Sequence, residues 1–214
     1  MKKVVVLGGT KGIGKAISNS FRNEYEVLNY GSKLMDTSNL DHVKKFIDEV
    51  KSIDVLILNT GGPPPMEFFD IDRDTWNKYH NQLFLSFIML LQNANINTNG
   101  YIFAITSIGL VEPNPMLTIS QAYRQAFSIV FKTYSKLVAE KGISAINILP
   151  GSILTERLKG LVPDVDEYSS SLIQGHAGDP NEIGSFIRSI VDNEITYLNG
   201  SSITFDGGNH ASFR

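Results

Sequence analysis

Three glycines carry the first chemical signal. Gly8, Gly12 and Gly14 are spaced G-x-x-x-G-x-G within Val5-Val6-Leu7-Gly8-Gly9-Thr10-Lys11-Gly12-Ile13-Gly14. Between an apolar strand and a helix, glycines permit a tight turn and a close backbone approach. They also leave first-turn amides aimed at an anion, which is the chemistry of phosphate binding. A nucleoside-triphosphate loop is the rival reading, because Gly9, Gly14 and Lys15 fit most of its pattern. However, Ala16 stands where that loop needs a Ser or Thr for Mg²⁺, and Asp54 begins its apolar run rather than ending it. A tight turn with no ligand is the plain alternative. The histidines His42, His80, His176 and His210 fall at no metal-ligand spacing, and no metal site is expected. Pro63-Pro64-Pro65 directly follow Gly61-Gly62 and read as a rigid turn beside the same site rather than as a polyproline ligand.

The elements that must position this loop follow from apolar periodicity. Strands are expected at Val4–Leu7, Tyr25–Tyr30, Asp54–Leu58, Tyr101–Ile105, Ile143–Leu149 and Ser202–Phe205. Helices are expected at Lys15–Asn23, Leu40–Lys51, Asp72–Asn95, Met116–Glu140 and Asp179–Asp192. Such alternation builds an α/β fold, a Rossmann-type doubly wound parallel sheet with helices on both faces. No linker or repeat interrupts it, so residues 1–214 read as a single dinucleotide-binding domain. The stretch 158–178 lacks periodicity and reads as a loop, a substrate lid over the site.

Composition agrees with a globular protein and excludes several classes. Hydrophobic residues make up 42% and charged residues 19%, which is too apolar for disorder. A net charge of −3 offers no basic excess for nucleic acid and no polybasic membrane patch. Cysteine is absent, which removes thiolate chemistry and disulfides. The apolar run after Met1-Lys2-Lys3 spans four residues, too short for a signal peptide, and no stretch reaches transmembrane length. A cytoplasmic location, with no nucleic-acid or membrane partner, is the expectation.

The chain resembles the short-chain dehydrogenase/reductase family over nearly its whole length. Leu7-Gly8-Gly9-Thr10-Lys11-Gly12-Ile13-Gly14 is similar to the family's T-G-x-x-x-G-I-G, and Leu58-Asn59-Thr60-Gly61 to its N-N-A-G. Ile105-Thr106-Ser107 matches the strand end that bears the catalytic Ser. Pro150-Gly151-Ser152-Ile153-Leu154-Thr155 matches P-G-x-x-x-T, and Asp206-Gly207-Gly208 the family's ending. The resemblance implies about seven parallel strands and a nicotinamide cofactor across their carboxyl ends. It implies cofactor contacts from Gly8, Thr10, Lys11, Gly12, Ile13, Gly14, Asp36, Asn59, Thr60, Gly61, Arg124, Pro150, Gly151, Ile153 and Thr155. It also implies a homodimer or homotetramer through helices 72–95 and 116–140. The span between Tyr30 and Asp36 is short for the family and has no room for its usual helix.

The cofactor form is read from the end of the second strand. NAD readers place an acid there for the ribose hydroxyls. Here Asn29-Tyr30-Gly31-Ser32-Lys33 has none, whereas Lys33 and Lys11 can neutralise a 2′-phosphate and Ser32 can donate to it. NADP is therefore favoured, with NAD as the alternative.

The catalytic pattern departs from the family. A Tyr is expected thirteen residues after the Ser and a Lys four later, but counting from Ser107 gives Ser120 and Arg124. The family's helix Asn falls at Leu83, with Asn81 and Gln82 close by. From Asn59 to Leu158 the chain resembles a subgroup labelled 3-oxoacyl-carrier-protein reductase-like, which has Ser and Arg at these positions. Three readings stay open. Arg124 replaces Lys and Ser107 with Ser120 positions a small-molecule carbonyl, the proton coming from water. Alternatively Tyr123 donates the proton, or the protein binds a dinucleotide without turnover.

Overall fold

The computed structural model describes residues 1–211. Six strands, β1 (Lys3–Leu7), β2 (Glu26–Tyr30), β3 (Ile53–Leu58), β4 (Ile96–Ile105), β5 (Ser144–Pro150) and β6 (Ser202–Phe205), form one parallel sheet. Their order is β2-β1-β3-β4-β5-β6. The sheet separates two cores, and strand alternation assigns residues to them. Val5, Leu7, Leu56, Leu58, Ile102 and Ala104 face one side. Against them pack α2 (Leu40–Glu49), α4 (Ser86–Asn93) and α5 (Thr118–Leu137), through Val43, Phe46, Phe87, Leu90, Phe127 and Phe131. Val4, Val6, Val55, Ile57, Phe103 and Ile105 face the other side, covered by α1 (Gly12–Phe21) and α8 (Pro180–Asp192). A strand buried on both faces must be apolar at every position, which is why these strands read as unbroken runs.

The strand order reverses between β1 and β3, which opens a crevice at their carboxyl ends, where open α/β sheets bind ligands. The sheet has six strands, in keeping with the expected number of about seven. The residues from 31 to 39, between β2 and α2, form a loop. A parallel crossover takes about a dozen residues or more, so β2 stays the edge strand.

Other boundaries also differ from the periodicity. The helix expected over 72–95 is α3 (Arg73–His80), a π turn at Asn81–Leu85 and then α4. The π turn inserts a residue into the repeat and resets the buried face at Leu83. α5 is flanked by single 3-10 turns, at Pro115–Leu117 and Ala139–Lys141, so the regular helix is shorter than 116–140. β4 starts earlier than Tyr101: Ile96 pairs with Ile53, the register then shifts, and Asn99 turns at φ 62°. The stretch 158–178 is not a plain loop. It includes the end of α6 (Glu156–Lys159) and all of α7 (Val165–Ser171), which is capped by the Asp164 carboxylate. Most of these residues are exposed or half-buried, so no apolar face marked them as helical.

The helix behind the glycine loop is seated by a close crossing of α1 and α8. A Cβ at Gly184 would stand 2.9 Å from the Ala16 carbonyl oxygen and 3.3 Å from Ile17 Cα. Both are backbone atoms, so neither can swing aside. Gly184→Ala is expected to destabilise the fold by about 1–3 kcal/mol, read from urea unfolding. A loss below about 0.5 kcal/mol, the ordinary scatter of a surface change, would contradict this seating.

Candidate active site

The glycine loop is clamped to the end of β3. Gly8 turns at φ 60° and Gly12 at φ 50°, both in the left-handed region that glycine adopts without strain. The Asn59 Nδ2 donates to the carbonyl oxygens of Leu7 and Gly8, at 3.3 and 3.4 Å. A Cβ at Gly8 would stand 2.6 Å from Asn59 Nδ2, and one at Gly14 would collide with the Gly8 carbonyl oxygen. The approach of helix to strand therefore depends on missing side chains.

The first turn of α1 is left open for an anion. Its N-cap, Lys11, makes no side-chain cap, and no acid lies in the turn Gly12-Ile13-Gly14. In contrast α2, α3, α7 and α8 are capped by Asn39, Asp72, Asp164 and Asp179. Unpaired first-turn amides and the positive end of the helix dipole are what a pyrophosphate needs, so these residues fit a dinucleotide.

The adenosine side forms where two loops touch. A Cβ at Gly31 would stand 2.8 Å from the Thr10 side chain, so the loop after β1 lies against the loop after β2. This contact puts Lys11, Ser32 and Lys33, all exposed, on neighbouring surface. Asp36 is less free than the sequence suggests. Its Oδ1 accepts from the Ser38 amide and hydroxyl, and its own amide donates to His42 Nδ1. Thr60 is fixed by a 2.9 Å hydrogen bond between its hydroxyl and that of Thr37.

Arg124 is the centre of the opposite half. It is 6% exposed. Its Nη1 donates to the Ile105 carbonyl at the end of β4, and its Nη2 to the Thr60 carbonyl beyond β3, at 2.9 and 3.1 Å. Its Nε donates to Ser120 Oγ, one turn earlier on α5, at 3.3 Å. One guanidinium thus joins two strand ends and orients the serine. Burial, and then the charge of Arg157, pull its pKa down to about 10. It remains a cation at neutral pH.

Ser107 closes the end of β4, its Oγ accepting from the Gly109 amide at 3.1 Å. Tyr123 does not join this group. Its hydroxyl donates to the Trp76 carbonyl at 3.2 Å, and its ring packs edge-on against Trp76 and His80. Burial raises the phenol pKa further. A place three residues after Ser120 on a straight helix turns Tyr123 out of the crevice, so the proton-donor reading finds no geometry here. Leu83 is buried beside Ile119, while Gln82 Nε2 reaches the Gly61 carbonyl at 2.7 Å.

The Pro150–Thr155 segment roofs the crevice. Thr155 Cγ2 would lie 3.4 Å from a Cβ at Gly12, so this threonine stands directly over the glycine loop. The Gly151 amide donates to the Phe205 carbonyl, and Gly151 packs on Asp206. The side chain of Ile153 is buried against Gly178, and the backbones of Ile153 and Gly178 form a β-bridge. The stretch between them is therefore a closed excursion, and the Tyr168 hydroxyl pins it to Ser152 Oγ at 2.7 Å. Beneath it a cavity of about 570 Å³ runs along Ser152, Gln174, His176, Glu182 and Asp206.

Two residues near the centre escaped the motif reading. Asn29 places its amide oxygen, buried and without a partner among the described residues, where a Cβ at Gly9 would be 2.5 Å away. Arg157, two residues after Thr155, donates across the crevice to the Pro63 carbonyl. Its position after the P-G-x-x-x-T segment is the one signal that marked it, since an isolated arginine on a polar stretch reads as solvated surface. Among the described residues no three metal-ligating side chains cluster, and no helix is long and apolar enough to cross a membrane.

Comparison with known proteins places this geometry. Residues 31–210 match the family model described as enoyl-(acyl carrier protein) reductase. The 3-oxoacyl-[acyl-carrier-protein] reductase FabG of Chlamydia muridarum (strain MoPn / Nigg) is 27% identical, over 97% of this chain and 96% of its own. The uncharacterized oxidoreductase YvaG of Bacillus subtilis (strain 168) is 22% identical, over 97% and 95%. Among solved structures, a short chain dehydrogenase from Burkholderia cenocepacia J2315 in complex with NADP superposes with a TM-score of 0.87 at 19% identity, covering 98% of each chain. BdcA in complex with NADPH superposes with a TM-score of 0.86 at 21% identity, covering 100% of this chain and 96% of its own.

Gly14→Ala tests the clamp. The added methyl must push α1 off the Gly8 carbonyl, which moves the first-turn amides. Dinucleotide affinity measured by calorimetry is expected to fall about tenfold or more, equivalent to about 1.4 kcal/mol, with circular dichroism unchanged. Unaltered affinity would show that the turn does not hold the ligand.

Proposed function

The chain belongs to the short-chain dehydrogenase/reductase family of oxidoreductases, and on that premise we propose that it reduces a small-molecule carbonyl to an alcohol with NADPH. The observation that carries this reading is Arg124, a buried cation that holds Ser120 at the strand ends beside an uncapped, glycine-lined helix. When bound, the cofactor supplies the hydride. Gly12, Ile13 and Gly14 would hold its pyrophosphate, and Asn59, Thr60 and Thr155 would line the cofactor site. Arg124 takes the part of the usual lysine as the ribose-side cation. Ser120 and Ser107 donate to the substrate carbonyl oxygen and orient it. The proton comes from water, because Arg124 stays charged and Tyr123 is committed to Trp76. The span 158–178, closed at Ile153–Gly178, covers the substrate. A homodimer or homotetramer through the helical stretches 72–95 and 116–140 belongs to the same proposal, since Ile129, Val130 and Leu137 of α5 are exposed.

The commitment of the Tyr123 hydroxyl to the Trp76 carbonyl favours one rival, a dinucleotide sensor without turnover. NADPH oxidation across ketones, aldehydes, quinones and 3-oxoacyl thioesters separates the two. Saturable binding with no oxidation supports the sensor.

NADP preference rests on Lys11 and Lys33. Converting both to Ala is expected to weaken NADPH binding about tenfold and leave NADH binding unchanged. An equal loss for both cofactors would contradict the assignment.

The pH profile tests the proton source. Arg124 loses its charge only as pH rises through about 10. Ser107 and Ser120 do not titrate below that. kcat/KM is therefore expected to be level from about pH 6 to about pH 9 and to fall near 10. A break near neutrality would reveal a titrating donor and contradict the water route.

A further inference from the structure

Arg157 and Arg124 meet across Gly62. A Cβ added at Gly62 would lie 3.3 Å from Ser120 Oγ, 3.6 Å from Arg157 Nη2 and 3.9 Å from Arg124 Nη2. One hydroxyl and two guanidinium groups therefore converge on the point where a side chain at Gly62 would begin. Arg124 spends three of its five N–H donors, on Ile105, Thr60 and Ser120. Arg157 spends one on the Pro63 carbonyl. Among the described residues neither pairs with a carboxylate.

Two cations side by side, one of them buried, repel each other. Burial and then this repulsion depress the Arg124 pKa, and burial depresses that of Arg157. A buried charge without a counter-ion is costly, and an anion between the two groups would remove that cost. The cofactor pyrophosphate is not that anion, since its donors lie at α1, beyond Asn59. The two arginines meet instead beside Ser120, where Arg157 of α6 reaches the Gly61–Pro65 turn.

We propose that Arg157 and Arg124 bind a carboxylate of the substrate, so that the compound reduced is an oxo acid whose carbonyl rests on Ser120. A planar guanidinium offers paired donors that match a carboxylate, and one Nη2 of each arginine stands near the same point beside Gly62. This substrate class rests on the reductase reading above. Arg157 is then a specificity residue at the start of the lid, and its bond to Pro63 holds it in place before substrate arrives.

The test compares short 2-oxo acids with their primary amides on the NADPH-saturated protein. The acid is expected to exceed the amide about tenfold or more in kcat/KM, mainly through KM. Arg157→Ala should abolish that preference and Arg157→Lys restore part of it. Lys159→Ala removes the same charge from the same helix and should leave the preference intact. Equal rates for acid and amide, a preference that survives Arg157→Ala, or one lost equally in Lys159→Ala would overturn the proposal while leaving the reductase reading in place. If no carbonyl is reduced, calorimetry with propanoate and propanamide decides. Tighter propanoate binding that Arg157→Ala removes would sustain the anion site although the reductase reading had failed. Equal binding, or tighter binding of inorganic phosphate, would overturn the carboxylate assignment.

Discussion

A cation enclosed at the ends of two strands sets the terms for this structure. Arg124 has no carboxylate partner among the described residues, and its charge is stabilised by the Ile105 and Thr60 carbonyls and by Ser120. Those acceptors are within reach of one side chain only because β3 and β4 are neighbours in register, with Leu58 beside Ala104. They stay there because α5 is fixed in rotation by Phe127 and Phe131, buried against the sheet. Had the helix turned by one residue, the guanidinium would lose both strands, and a buried charge would remain with nothing to satisfy it. Sheet order, helix packing and site geometry are therefore one constraint.

The two halves of the crevice solve opposite problems. At the glycine loop the need is space, so Gly8, Gly12 and Gly14 let backbone approach backbone and leave the amides of α1 without a cap. Around Arg124 the need is charge and orientation, which side chains supply. Asn59 and Thr60 sit side by side after β3 and serve one half each: Asn59 holds the loop, and the Thr60 carbonyl holds the arginine. This adjacency is what a cofactor spanning both halves requires of the strand between them. On the proposed reading, Ser120 would keep a hydroxyl that orients the substrate and leave the proton to water.

Much of this was legible in the residues. Buried parallel strands are apolar throughout, so Val4–Leu7 and Asp54–Leu58 declared themselves, and the glycine spacing marked the turn. What failed to show has physical reasons. The π turn at Asn81–Leu85 changes the helical repeat in mid-course, which no fixed period anticipates. α7 is short and largely solvent-facing, so its residues carry no apolar stripe. The edge position of β2 goes with the short span after Tyr30, which was read as the loss of a helix alone. Tyr123 lay near the right position in sequence, but its ring found a better home against Trp76. Arg157 becomes visible only when the chain after β5 folds back over Pro63.

A crystal structure with NADPH bound tests the central claim most directly. The account predicts the nicotinamide end beside Ser120 and Arg124, with Tyr123 still bonded to Trp76 and the pyrophosphate on the first turn of α1. A structure in which the Tyr123 hydroxyl swings in to the reactive carbon of the nicotinamide, or in which the dinucleotide lies away from Arg124, would contradict it.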